Sequence, residues 1–488
     1  MTRTTKRRYL TVLGAVSVSL VVLVVAICIQ PALSAAQTPP AQSPSAPSQP
    51  SAPGTAPSPA PAVRSNPEAE TVLREIPLVP DEAPAPERPE PLLRRYIPGL
   101  QESLEKLPPF IRDTDLNLHF RTFYMDRINP DDSQNEAWAI GGWLEYKSGW
   151  LWDTFAMGAV GYTSQPLYAP DDKDGTTLLA TGQNGITVLG QAYAQLKYQD
   201  YALLTGYRQL VDDGYVNRQD NRMIPNTFEG VTLKGKVGFA AYNVGYLWYI
   251  KPRNSDEFVS MSQQAGGTGS SEGLVLTSVT LTPWKPLNVY IGNDYVPNVF
   301  NTVFAKAEYT QQLTEEWKLA VGLQYTNQQS VGDAQIGDFS TWNLGFGARL
   351  SWRGLAVGAA AHFTGDGNDI QSPYGTWPGY LSLIQTDFDH ANEKAWGIGF
   401  TYDFGGTLLP FQAPGFLARL AYARGTDLVN ASTGASKPDE WEVDLDLTYN
   451  VRAVKGLQVR FRNAYWDNGG SQTGYQFRVI LNYEFDLM

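Results

Sequence analysis

The chain is poor in the residues that most often carry covalent chemistry. Its 488 residues include one cysteine, three histidines and six methionines. The lone cysteine, Cys28, excludes a disulfide framework and a cysteine-rich metal site. Mean hydropathy is −0.27, too low for a bundle of membrane-spanning helices. Net positive charge is lacking too: 37 Lys+Arg against 49 Asp+Glu give −12. With no basic stripe interleaved with aromatics, nucleic acid is excluded as a partner. Glycine (45), tyrosine (26) and tryptophan (13) are abundant, the composition of turn-rich, aromatic-rich β-structure.

The first hundred residues are no domain. Residues 1–9 carry Arg3, Lys6, Arg7 and Arg8, residues 10–29 form an uncharged, largely apolar run, and Ala32-Leu33-Ser34-Ala35-Ala36 offers a cleavage site. This predicts a secretory signal peptide over 1–36; an uncleaved anchor is the alternative, since such a run can span a bilayer. Cleavage would remove four positive charges, taking −12 to about −16, and the only thiol. Ile27 stands before Cys28 where a lipoprotein signal needs a small residue, so lipidation is not expected. Residues 37–97, with 16 prolines between Pro39 and Pro91, cannot bury a core and predict a disordered Pro-rich linker. Fully extended at about 3.1 Å per residue, the stretch from Pro39 to Pro91 would reach roughly 160 Å. It reads either as a tether to the cell wall or as a solvated tail. Residues 98–113 read as a short helix or periplasmic segment.

From residue 114 to 488 the period changes to two. Leu116, Leu118 and Phe120 oppose Asn117, His119 and Arg121; near the end, Tyr475, Phe477, Val479 and Leu481 oppose Gln476, Arg478 and Asn482. About 18 such segments begin near residues 115, 136, 152, 186, 200, 227, 238, 272, 286, 301, 316, 340, 354, 393, 416, 439, 456 and 473. Their connections alternate long and short: 126–135 then 148–151, 164–185 then Gln199-Asp200, 364–392 after Arg353-Gly354. A soluble sandwich has no reason to put its long loops at one end, whereas an outer-membrane barrel does. No helix candidate is read beyond residue 107. The fold class is therefore all-β, a transmembrane antiparallel β-barrel of about 18 strands, whose polar faces line water.

Several ordered motifs then carry a resemblance: Leu116-Asn-Leu-x-x-Arg121-x-x-Tyr124, Gly206-Tyr-Arg208-Gln209, Asp220-Asn-Arg222-Met-Ile-Pro225, Trp377-Pro-Gly-Tyr380 and Lys455-Gly-Leu-Gln-Val-Arg460-Phe-Arg462. From about Phe110 onward the chain resembles the OprD-type outer-membrane porins. The resemblance implies a monomeric, substrate-selective channel in the bacterial outer membrane, with an arginine ladder on its wall, loops that constrict the pore, and small carboxylate-bearing solutes as cargo. Two features depart from the pattern. The chain runs past Phe485 to Asp486-Leu487-Met488 instead of ending on an aromatic residue. Glu442, Asp444 and Asp446 also put acid on the polar face of one strand.

By position, the pore-lining candidates are Arg460, Arg462, Arg478, Arg349 and Arg419 on polar strand faces, with Arg208 and Arg222 marking the constriction. Fixed guanidinium groups would pass a carboxylate from one site to the next. The alternative is pairing with acids such as Glu442 and Asp444 to hold strands together, or, for Arg208 and Arg222, a loop-anchoring bridge to Asp220 or Glu229. Asp366, Asp369 and Tyr374 are candidates for an acidic counter-surface in the long loop; solvated loop acidity is the alternative. His119, His362 and His390 lack any neighbouring nucleophile motif, so neither an enzyme nor a cofactor is expected. Rival readings are an exporter barrel for an anionic polymer and a structural barrel tethered by its tail.

Overall fold

The computed structural model describes residues 106–488 except Asp200 and Ser270, together with Pro91, Tyr96, Ile97, Gly99, Ser103 and Leu104. The predicted signal peptide and nearly all of the Pro-rich segment lie outside the described residues.

The strands follow one another in chain order. β1 (Asp115–Ile128), β2 (Gln134–Lys147), β3 (Phe155–Tyr168), β4 (Ile186–Tyr198) and β5 (Ala202–Gln209) come first. β6 (Thr227–Val237) and β7 (Ala240–Lys251) lead through a two-residue strand, β8 (Val259–Ser260), to β9 (Leu274–Trp284) and β10 (Leu287–Val296). β11 (Phe300–Gln312), β12 (Trp317–Ser330), β13 (Ser340–Trp352), β14 (Leu355–Thr364) and β15 (Lys394–Asp403) continue the wall. β16 (Phe416–Thr426), β17 (Glu440–Asn450), β18 (Leu457–Asp467) and β19 (Gly474–Asp486) complete it. Each strand pairs antiparallel with the next, and β19 returns to β1 from Asn117–Asp486 to Ile128–Tyr475. Because β7 pairs directly with β9 as well as with β8, the two-residue strand is an outgrowth of its loop. Nineteen strands less β8 leave a closed wall of 18. Closure matters because a free strand edge in lipid would leave backbone N–H and C=O groups unpaired. At the seam the terminal residues are bonded as well: Leu487 N donates to Leu116 O at 2.7 Å.

Period-two patterning becomes two faces. On β16, Arg419 is 2% exposed and its neighbour Leu420 47%. Trp138, Leu144, Leu196, Phe346, Phe400 and Val479 likewise stand outward, where hydrocarbon rather than water meets them. The tight Arg353-Gly354 turn has φ of 48° and 94°, the doubly left-handed geometry whose twist suits a two-residue hairpin.

All 18 barrel strands start within three residues of the expected positions, because alternation is strong along each. Loop lengths depart in three places. The connections 129–133 and 297–299 are short although they lie at the long-loop end, the first because β1 and β2 keep pairing as far as Ile128–Gln134. The turn 404–415 is long at the opposite end. α1 (Pro109–Arg112) lies within the segment 98–113 read as a short helix or periplasmic segment, whereas a 3-10 turn (Asp171–Lys173) and α2 (Met261–Gln264), one turn each, depart from the expectation of no helix in the barrel region. In α2, Ser260 accepts from Gln263 N while the Gln263 side chain accepts from Ser260 N, so a local cap holds a helix too short for periodicity to reveal.

Several long connections fold inward and place apolar side chains against the lumen wall. Leu178, Leu179, Met223 and Ile224 pack with Phe123, Met125 and Val160; Leu381, Leu383 and Phe388 pack with Ala360, Ala395 and Ala423. Each fully buried side chain of this size contributes about 1.5–3 kcal/mol, which holds loops that have no ladder of their own.

Candidate pore constriction

Three inward loops are tied to one another. Asn217, in the connection 210–226, exchanges hydrogen bonds with Thr376 in the connection 365–393: Nδ2 donates to Thr376 O at 2.8 Å and Thr376 N donates to Oδ1 at 2.8 Å. Asn217 N also donates to Tyr374 O at 3.2 Å. Trp377 Nε1 donates to Tyr215 Oη at 2.9 Å, which in turn contacts Thr326 Oγ1 on the wall at 2.8 Å. The connection 252–273 joins through Tyr374, whose hydroxyl donates to Met261 O at 2.9 Å. Asp213 secures the first loop to three strands, accepting from Tyr290 Oη, Asn243 Nδ2 and Ser278 Oγ.

The wall beside this plug is basic. Strand register places Arg419, Asp446, Arg462 and Arg478 side by side on β16 to β19, and the row ends at Met125 on β1. Arg460, two residues before Arg462 on β18, reaches the same carboxylate. Its Nε lies 3.0 Å from both Asp446 oxygens, Arg462 Nε lies 3.0 Å from Oδ2, and Arg419 Nη1 lies 3.6 Å from it. Three guanidinium groups thus share a row with one acid, and a fourth, Arg460, reaches that acid from two residues along β18.

The two remaining acids of β17 have a different occupation. Glu442 accepts the N–H of Gln385 at 2.8 Å and of Thr386 at 2.7 Å, and Asp444 accepts that of Ile384 at 2.9 Å. Three consecutive backbone donors of the long loop are therefore held by two wall carboxylates. Arg478 Nη2 lies 3.5 Å from Ile384 O, and Gln385 Nε2 donates to Gln476. The acid that breaks the basic pattern of the sequence is a latch for the loop tip and an anchor for the arginines, and the tip rests beside Arg478.

A second basic group comes from the loops. Arg222, 1% exposed, donates from Nε to Thr177 Oγ1 at 2.7 Å and to Thr176 O at 3.0 Å. Burial lowers its pKa well below the usual value, and Arg253, Arg478, Arg127 and Arg462 lower it further. Guanidinium remains charged under such pressure. Arg121 Nη1 pairs with Asp220 Oδ1 at 2.6 Å and also reaches Arg222 O. Arg253 Nη1 donates to Asn221 Oδ1 at 2.6 Å.

The other candidate residues fall elsewhere. Arg349 lines, together with Arg419 of the row, a cavity of about 370 Å³ that reaches the Arg353-Gly354 turn, with Ser351 and Thr401 also in its wall. Arg208 pairs with Glu229, its register partner on β6, at 2.7 Å and lies 4.1 Å from the Phe258 ring centroid. Asp366 is exposed. Tyr374 is spent on Met261 and stacks on Phe300 with centroids 6.1 Å apart. Asp369 contacts His390 Nδ1 at 3.0 Å, and His390 Nε2 lies 3.5 Å from Glu440. Burial disfavours the imidazolium, but the bonds to Asp369 and Glu440 outweigh it and carry His390 up to about 11. Burial likewise opposes the Asp369 carboxylate, and His390 prevails, holding it down at about 2.

Residues 108–487 match the model of a protein family described as outer membrane porin, OprD family. The chain belongs to that family. No curated protein matches its sequence. Similar solved structures include Pseudomonas aeruginosa OpdK with vanillate, at 20% identity and TM-score 0.69, covering 77% of this chain and 100% of that one. Others are P. aeruginosa OccK9 (OpdG), at 22%, 0.70, 78% and 100%, and a BenF-like porin from Pseudomonas fluorescens Pf-5, at 20%, 0.70, 78% and 100%. OprD-family porins are non-enzymatic channels for small solutes in the bacterial outer membrane.

Within this OprD-family barrel, three basic residues went unnamed as pore candidates. Arg121 and Arg127 lie six apart on β1 and share its inward parity with Arg478 across the seam, a signal present in the alternation itself. Arg253 lies in an aperiodic loop and could be placed only by the fold.

Proposed function

We propose that this outer-membrane channel passes small carboxylate-bearing solutes, as a monomer, by diffusion along the arginine row of β16 to β19 and past the plug of tied loops. The observation that carries the reading is the row itself: three guanidinium groups against one aspartate, with Arg460 beside them and the loop tip that narrows the path next to them. Charge-assisted, bidentate pairing makes arginine a strong but reversible partner for carboxylate. One structural neighbour was solved with vanillate, an aromatic carboxylate, which supports this solute class. The confinement of the row to one side favours a small solute over an anionic polymer: beyond Arg419 it continues through Thr401 and Ala356, and beyond Arg478 through Met125.

Single-channel recording in a planar bilayer tests the reading. Benzoate added to potassium chloride is expected to produce brief, concentration-dependent interruptions of the current. A channel indifferent to benzoate and to aliphatic carboxylates would overturn it. The Pro-rich segment 37–97 precedes a barrel whose first strand starts at the short-connection end, which supports a periplasmic tether to the cell wall. Co-sedimentation with purified sacculi, equal with and without those residues, would remove that part of the proposal.

A further inference from the structure

Asp446 is one acid among arginines. It is 4% exposed, and its two oxygens are fully engaged. Oδ1 accepts from Arg460 Nε at 3.0 Å and Thr448 Oγ1 at 3.2 Å; Oδ2 accepts from Arg460 Nη2 and forms ion pairs with Arg462 Nε at 3.0 Å and, more loosely, Arg419 Nη1 at 3.6 Å. A carboxylate offers about four lone-pair sites, and this one is held from β16, β17 and β18. The guanidinium groups around it would otherwise repel one another across neighbouring strands. Its companions on β17 serve a different purpose, since Glu442 and Asp444 hold the backbone of the loop tip.

We propose that Asp446 is the positioning residue that sets the anion preference of this channel. It aligns Arg419, Arg460 and Arg462 and cancels one positive charge among them. Arg419, Arg462 and Arg478 share a row with Asp446, with Arg460 and Asp444 two residues to either side of it, so removing the Asp446 charge leaves the group one unit more positive. A group left more positive would hold each carboxylate longer, so the acid keeps attraction short of trapping. This inference rests on the arginine row being the solute path. It adds that the acid, not a further arginine, tunes that path.

The test is the reversal potential in a potassium chloride gradient, measured on the full-length protein in planar bilayers. Asp446→Asn is expected to raise the anion-to-cation permeability ratio about sixfold, because one unit charge acting across about 8 Å of water favours the anion and disfavours the cation by about 2.4-fold each. Asp446→Glu is expected to keep the wild-type ratio. A ratio unchanged in Asp446→Asn, or shifted equally in both variants, overturns the proposal, since packing rather than charge would then be at work. If Asp446→Asn alone fails to assemble, Arg460→Gln is compared with the charge-balanced double variant Asp446→Asn/Arg460→Gln. The double variant must be the more anion-selective of the two, and equality overturns the proposal. Because chloride and potassium are the only permeant ions, a wild-type channel that ignored benzoate would sink the carboxylate reading and leave this measurement intact.

Discussion

Arg462 and Arg478 stand directly opposite each other on β18 and β19, two like charges at facing positions of one antiparallel pair. Such pairs ordinarily destabilise a sheet, and a sheet tolerates them where acids, polar groups and water offset the repulsion. Replacing both with glutamine should remove the most concentrated positive charge of the wall. Carboxylate affinity, read from the concentration dependence of current block, should fall about tenfold, the value of a single charge-assisted contact of about 1.5 kcal/mol. Barrel assembly, followed by heat-modifiable electrophoretic migration, should be unchanged. Unaltered block would reduce both arginines to structural ions.

The loop tip at residues 384–386 should loosen when its acceptors are lost. In a Glu442→Leu/Asp444→Leu variant, the N–H groups of Ile384, Gln385 and Thr386 lose their carboxyl acceptors. At about 1 kcal/mol each, the loss is on the order of 3 kcal/mol, enough to change the population of a docked loop substantially. Open-channel conductance should rise and the anion preference should persist. A variant with wild-type conductance would show that the plug is held by apolar packing alone.

The connection 365–393 should also respond to alkali through His390. The folded-state pKa of His390 is raised from the ordinary 6.5 to about 11. The stability it contributes is therefore complete below about pH 6.5 and is lost as pH climbs toward 11. The groups facing it are Asp369, Asp389, Glu393 and Glu440, with Lys437 3.7 Å from Asp369. The depressed Asp369 acts in the opposite direction: its contribution is present above the ordinary 3.8 and lost as pH falls toward 2. Limited proteolysis of this loop should accelerate between pH 7 and pH 10 in the wild type. In His390→Gln it should be fast and nearly flat over that range; a pH-dependent rate in that variant would assign the effect elsewhere.

Much of the wall was legible in the sequence because a strand with one face in lipid and one in water must alternate residue by residue. Leu344, Phe346 and Leu350 on β13 need no tertiary information to be placed outward. The same parity places Arg419, Arg462 and Arg478 inward, where the structure has them. Register across strands is another matter. Nothing in the order of residues announces that Asp446 meets Arg462, because their pairing depends on where each hairpin turns. The loops were less legible still: Asn217, Tyr374 and Arg253 take their partners from connections far apart in the chain, and no period links them.

The bonds around Asn217 have a mechanical consequence. Three loops fastened together at that asparagine and at Tyr374 move as a single lid with few degrees of freedom, rather than as three independent flaps. Widening the path by a small amount at one loop strains the attachments of the other two. Thermal fluctuation in such a channel should therefore appear as jumps between a few discrete current levels, with a dwell time set by the asparagine, instead of a continuous drift.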